Sequence, residues 1–208
     1  RTREAYAASG QWPDYDELDP PSQSSRYQLV LAAKFDLGSV DAAAATRQVM
    51  LAYDDQFSIQ YLQRNLRPWW RRNGASAVDL LPAAARDYAA LAERCRRFDG
   101  ELTADLVRAG GPKYAQVAIL AYRQALAAHK LAADIDGTPL FFSKENFSNG
   151  CIGTVDLTYP SAPLFLLLNP ALAKGLMTFI FQYASLPRWK FPFAPHDIGQ
   201  YPLANGQV

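Results

Sequence analysis

Cysteine is scarce: the 208 residues contain only Cys95 and Cys151. Neither belongs to a C-x-x-C pair, which excludes a zinc ribbon and a thioredoxin-type centre. Cys95 falls at a core-like helix position and reads as a buried thiol. Charge of one sign is missing too. Twenty-one Lys and Arg face twenty Asp and Glu, for a net charge of +1. That balance excludes a global basic field for nucleic acid and a strongly acidic sink. No apolar run is long enough to span a bilayer; residues 162–168 stop short at Asn169-Pro170. There is no glycine-rich phosphate loop and no G-x-S-x-G elbow. Histidine is limited to His129 and His196. No ligand set demands a metal, and no motif asks for a cofactor.

What is present is ordinary globular material. Half of the residues are apolar and 12% are aromatic. A chain of this length buries roughly 70% of the surface its unfolded form exposes, so general disorder is excluded. Arginine outnumbers lysine fifteen to six and alanine abounds. That bias points to a GC-rich bacterial genome.

Residues 1–25 are polar and Pro-rich and read as an arm or connector. Residues 26–75 read as strands and linker, with strands expected at 26–35 and 47–53. Within that stretch, Ile59, Leu62 and Leu66 have helical spacing. Residues 76–208 read as helical hairpins. Ser76-x-x-Asp79 is a capping-box start, and Leu80, Ala84, Tyr88, Leu91, Cys95 and Phe98 follow on one face. A second helix is expected over 99–109, stopping at Gly110-Gly111, and a third from Pro112 to about 133. A β-hairpin insert is expected at 140–158, with strands 140–143 and 152–157. Asn169-Pro170 then caps a last helix. The fold class is mainly α with β insertions: a partial helical-hairpin toroid after a few strands.

Three loop segments gather ionisable residues beside aromatics: 144–150, 154–160 and 195–202. Glu145 and Asp156 flank the expected hairpin, and a close carboxylate pair can split acid from base. Asp156, between Val155 and Leu157 in an expected buried strand, needs a partner. His196 offers a group that titrates near neutrality. Asp197 next to it is a weak dyad partner if the segment is extended, and a candidate cap for the turn before Gly199. Arg64, Arg67, Arg71 and Arg72 around Trp69-Trp70 read as a solvated face with packed tryptophans rather than a nucleic-acid patch.

These loops carry a resemblance. Lys144-Glu145-Asn146-Phe147-Ser148-Asn149-Gly150 is followed by Thr154-Val155-Asp156-Leu157-Thr158-Tyr159-Pro160 and Ala162-Pro163. Then come Asn169-Pro170 and His196-Asp197-Ile198-Gly199-x-Tyr201-Pro202-x-Ala204-x-Gly206. The chain from about Arg26 resembles the glutaminase A family of fungi and bacteria. That pattern runs K-E-x-x-S-x-G, T-V-D-x-x-Y-P-x-x-P, N-P, then H-D-L-G-x-Y-P-x-A-x-G. Two departures stand out. His-Asp-Ile-Gly replaces HDLG, and Tyr53-Asp54-Asp55-Gln56-Phe57 stands where the family has Gly-His-x-Arg-Asp.

The resemblance implies a secreted or periplasmic hydrolase acting on the side-chain amide of glutamine. It also implies a toroid of six helical hairpins with its site in the loops at one end. The family pattern continues into an acidic M-P-V-E-E-type stretch, so this chain is expected to be the front part of the helical domain. On this reading Asp156 or Glu145 is the base, and His196 the acid or electrostatic partner beside Asp197. Lys144 and Tyr159 hold substrate or stabilise charge, and Arg123 clamps an α-carboxylate. Such toroids also resemble glycoside hydrolases, which use paired carboxylates and aromatic platforms; Trp189, with Phe191 and Phe193, would serve. A third alternative is an inactive domain, marked by an exposed apolar face that missing hairpins or self-association would cover. The expected partners are a small molecule, glutamine or a glycoside, with no nucleic acid and no membrane.

Overall fold

The computed structural model describes residues 2–12, 33–145 and 148–207. The chain divides into two compact units, 1–50 and 51–208. In the first, helix α1 covers Thr2–Ser9, and Tyr6 meets Trp12 edge-on at 5.5 Å. Most of the strand expected at 26–35 lies outside the described residues. Residues 33–35, and the stretch expected as a strand at 47–53, are irregular and exposed. Among the described residues no strand pairs with them, and an unpaired extended segment gains nothing from β propensity.

The second unit opens with a hairpin where helical spacing suggested a helix. Strands β1 (Ile59–Tyr61) and β2 (Arg64–Pro68) pair antiparallel, placing Ile59 opposite Leu66. The chain reverses because Leu62 and Gln63 both take positive φ, 48° and 64°. That is the geometry of a tight hairpin turn, here without its usual glycine. The Gln63 N–H donates to Asn205 Oδ1 at 2.8 Å and secures the turn.

Helix α2 (Ala77–Ala127) begins as expected. Asp79 N–H donates to Ser76 Oγ, and Ser76 N–H donates to Asp79 Oδ2 at 2.9 Å. Gly111, at φ 82° and ψ 175°, breaks it into two segments, and Pro112 opens the second. No break occurs at 98–99. Phe98 and Tyr122 meet at 5.7 Å, so the segments fold back on each other as a helical hairpin. Cys95, expected to be buried, is exposed.

The second segment ends at Ala127 instead of 133. Residues His129–Ala133 form β3, which pairs antiparallel with β4 (Pro139–Ser143). The hairpin therefore spans 129–143, and the strand expected at 152–157 is absent. Thr154 instead precedes helix α3 (Val155–Leu168). Pro160 and Pro163 sit inside that helix and remove two N–H donors. The Ser161 hydroxyl donates to the carbonyl of Leu157 at 2.9 Å, adding a local bond there. Asn169 caps α4 (Pro170–Ala184), its side chain accepting from Leu172 N–H.

The five strands lie in the order β4-β3-β2-β1-β5, with β5 (Leu203–Ala204) parallel to β1. Helix α4 packs on β4: Phe142 stacks on Phe179 at 4.4 Å. Gly175 permits that approach, since a Cβ there would stand 3.1 Å from the Pro139 carbonyl. Ile59, Tyr61, Leu66, Leu140, Ile152 and Ile198 belong to the same core. Each such burial contributes about 1.5–3 kcal/mol. Tyr61 donates its hydroxyl to Gln182 Oε1 at 2.8 Å, and burial pushes its pKa up to about 12. The architecture is mainly α with β insertions, as expected. Among the described residues no helix is long and apolar enough to cross a membrane.

Candidate functional site

Three backbone segments weave the site together. Residues 150–155 run against 196–201. Ile152 N–H donates to Gly199 O at 2.8 Å, Ile198 N–H to Ile152 O at 3.0 Å, and Val155 N–H to His196 O at 2.9 Å. The end of β4 joins from the other side: Gly153 N–H donates to Ser143 O, and Glu145 N–H to Cys151 O, each at 2.9 Å. The close weave needs Gly153, whose φ is +68° and whose Cβ would lie 2.4 Å from Phe179. The three polar loops read from the sequence thus meet in one place.

His196 is the exposed centre of this place, and Asp197 beneath it is 3% exposed. His196 Nδ1 lies 2.9 Å from Asp197 Oδ2. Asp197 Oδ1 accepts the Gly199 N–H at 2.9 Å. The aspartate therefore both partners the histidine and caps the turn. Its hydrogen bond raises the His196 pKa above the ordinary value, opposed by burial and supported by the charges of Asp197, Asp156 and Glu145. The His196 N–H donates to Gln207 Oε1 at 3.0 Å.

An open cleft of about 560 Å³ lies beside His196, lined also by Asp156, Tyr159, Phe193, Pro195 and Gln207. Asp156 is exposed in the first turn of α3, where the helix dipole favours a carboxylate. It does not occupy the buried strand that the sequence suggested. Tyr159, one turn on, is 84% exposed.

Glu145 is half-buried. Its Oε1 accepts from the Ser148 hydroxyl at 3.2 Å, while Oε2 is buried and meets no hydrogen-bond partner among the described residues. Lys144 places its ammonium 5.1 Å from the Tyr201 ring centroid. Trp189 is half-buried. It donates Nε1–H to Phe193 O at 2.6 Å and packs against the core, so it positions Phe193 instead of lining the cleft. Arg123 is exposed on α2 and is not among the lining residues.

Two contributors were missed as site residues. Gln207 ties the chain's last turn to His196. Cys151, a free and buried thiol, stands with its Sγ within 4.8 Å of ligand atoms of His196 and Asp197. Burial raises its pKa, and the charges of Asp197 and Glu145 raise it further. The available signal was Gly150 and Gly153 closing in on Cys151-Ile152, since glycines bracketing a short apolar segment mark close backbone approach.

Residues 111–208 match the glutaminase A six helical-hairpin domain, and residues 1–105 match a domain of unknown function, DUF5127. The chain is 32% identical over 211 residues to Glutaminase A of Aspergillus oryzae, a match covering 98% of this chain and 30% of that protein. It is 28% identical over 136 residues to a probable glutaminase of Arthroderma benhamiae, covering 65% of this chain and 16% of that protein. The chain therefore spans less than a third of the length of these curated relatives. Both are fungal, whereas composition pointed to a bacterial source. No solved structure gives a significant match.

Proposed function

This chain belongs to the glutaminase A family, and from that premise we propose that it forms part of a site hydrolysing the side-chain amide of glutamine. The observation that carries the reading is the His196–Asp197 pair on a cleft shared with Asp156 and Tyr159. Amide hydrolysis needs a base for water, a proton for departing ammonia and stabilisation of the oxyanion. Asp156, exposed and beside the cleft, takes the proton from water as it attacks the amide carbon. His196, held by Asp197 with a raised pKa, supplies the proton to ammonia. The Tyr159 hydroxyl donates to the developing oxyanion. Glu145, tucked behind, supports the charge on His196.

The α-carboxylate of glutamine needs a cation, and the cleft lining holds no Lys or Arg. Arg123 is not placed to serve. That group comes from elsewhere in a longer protein, which suits a chain spanning 30% of its Aspergillus relative. The test is ammonia release from L-glutamine by this chain and by a longer version extended to the relatives' length. Activity in the longer version, reduced about 10²- to 10⁴-fold by His196→Ala and by Asp156→Asn, is the expected result. Undiminished activity in both variants would overturn the roles. Absence of ammonia release from the longer version would overturn the reaction.

One observation favours a second reading. Phe191 and Phe193 stack at 5.3 Å, both exposed, with Phe193 on the cleft. Aromatic faces of this kind hold sugar rings, so glycosides are the substrates to try next.

A further inference from the structure

The hydrolytic scheme leaves Cys151 without a task, although it lies beside the His196–Asp197 pair. Its Sγ, a ring nitrogen of His196 and a carboxylate oxygen of Asp197 all lie within 4.8 Å of one another. Their spacing is set by main chain, because the segments carrying them are bonded backbone to backbone on both sides of Ile152. The charge of Glu145 acts on both Cys151 and His196, and its Oε2 is buried with no hydrogen-bond partner among the described residues. The Glu145 N–H donates to the Cys151 carbonyl at 2.9 Å, which ties the two backbones together. A buried carboxylate oxygen with no donor is costly unless a cation meets it.

We propose that Cys151, His196 and Asp197 form a binding site for one thiophilic divalent cation of the zinc class, with Glu145 supplying further negative charge. The donor set selects the ion. A thiolate, an imidazole and a carboxylate together suit Zn²⁺. Calcium and magnesium ask for six or more oxygen ligands. Zinc bonds of about 2.0–2.3 Å in a tetrahedron put ligand atoms roughly 3.3–3.8 Å apart. The present limit of 4.8 Å is a small side-chain adjustment from that. Three protein ligands leave a fourth position, and exposed His196 lies on the cleft side, where a water or a ligand completes the shell. Binding displaces the thiol proton, so affinity rises with pH. The ion would also occupy the His196–Asp197 pair, and its binding would inhibit the hydrolysis proposed above.

The inference shares two residues with that reading but does not depend on it, because metal binding is measured without substrate. The metal-free chain is titrated with Co²⁺ and then with Zn²⁺. The expected result is one Co²⁺ per chain, a sulfur-to-cobalt charge-transfer absorption, and its bleaching by one equivalent of Zn²⁺. Cys151→Ser abolishes the absorption and Cys95→Ser preserves it. His196→Ala, at an exposed side chain, weakens Co²⁺ binding at least about tenfold. That variant keeps the test decisive even if Cys151→Ser fails to fold. Absorption that survives in Cys151→Ser, that disappears in Cys95→Ser, or binding unaffected by His196→Ala would each overturn the proposal. So would an absence of Co²⁺ and Zn²⁺ binding below millimolar concentration.

Discussion

Asp197 holds His196 with one carboxylate oxygen and the turn at Gly199 with the other, both at 2.9 Å. Successive side chains of an extended strand point to opposite faces. Here the two neighbours meet because the backbone closes into a turn that the aspartate itself caps. Replacing Asp197 thus removes a structural post together with the histidine's partner. Asp197→Ala is expected to destabilise the chain by about 1–3 kcal/mol through the unmet Gly199 N–H. Urea unfolding measures this, and a loss below about 0.5 kcal/mol would show that the cap is idle.

Gly199 gives a sharper case. Its φ is +133°, and a Cβ there would stand 2.1 Å from the Leu203 carbonyl oxygen. The obstacle is main chain, so no rotamer relieves it. Gly199→Ala is expected to cost at least about 2 kcal/mol. A matching loss of melting temperature checks it, and an unchanged value would mean that the 196–204 turn is looser than described.

His129 predicts a pH dependence. It stacks on Phe141 at 4.5 Å, and its Nδ1 contacts the Ala125 carbonyl. Burial lowers its pKa below 6.5, opposed by the Ala125 carbonyl and reinforced by the Lys144 charge. The sign follows from linkage. Above pH 6.5 the imidazole is neutral whether the chain is folded or not, and its contribution is whole. As pH falls through 6.5, the unfolded chain takes a proton that the folded chain refuses. Stability then declines until the lowered folded pKa is passed. Melting temperatures between pH 7.5 and about 5 should fall for the parent chain and fall less for His129→Gln. Equal slopes would assign the acid sensitivity to other groups.

Tyr114, Val117 and Leu120 recur at three-residue intervals on the second segment of α2, and all are exposed. Such spacing makes one stripe on a helix. The stripe predicts association of the isolated chain that grows with concentration, readable by sedimentation equilibrium. Val117→Glu with Leu120→Lys should shift the equilibrium toward monomer. A chain that is monomeric at every concentration would refute the prediction.

The sequence is legible where the physics is local. The Ser76–Asp79 box, the Gly111 break and the Asn169-Pro170 start each work through bonds within a few residues. Expectation and structure part where distant segments decide. His129–Ala133 reads as the tail of an Ala-rich helix, but β2 and β4 recruit it as a strand. Thr154–Leu157 looks like a strand because of its β-branched residues, and Pro160 and Pro163 discourage a helix that nonetheless forms. The Leu62-Gln63 turn carries no glycine to announce it. At the site, the loops holding Glu145, Asp156 and His196 were legible from their composition. The thiol of Cys151 was not, because only pairing with residues 198–200 brings it there.

The parallel pairing of β5 with β1 joins residues 203–204 to 60–61. A ribosome releases the N-terminal partner long before the C-terminal one. Between those two moments the nascent chain can form its helical hairpin by local steps while the sheet still lacks β5. Pairing across so long a separation is slow. The side of the cleft built on Phe193–His196 and Gln207 accordingly follows the helical hairpin in time. A chain halted or trimmed before residue 193 carries the helical hairpin without that side of the cleft, so helical signal and cleft integrity are separable clocks of maturation.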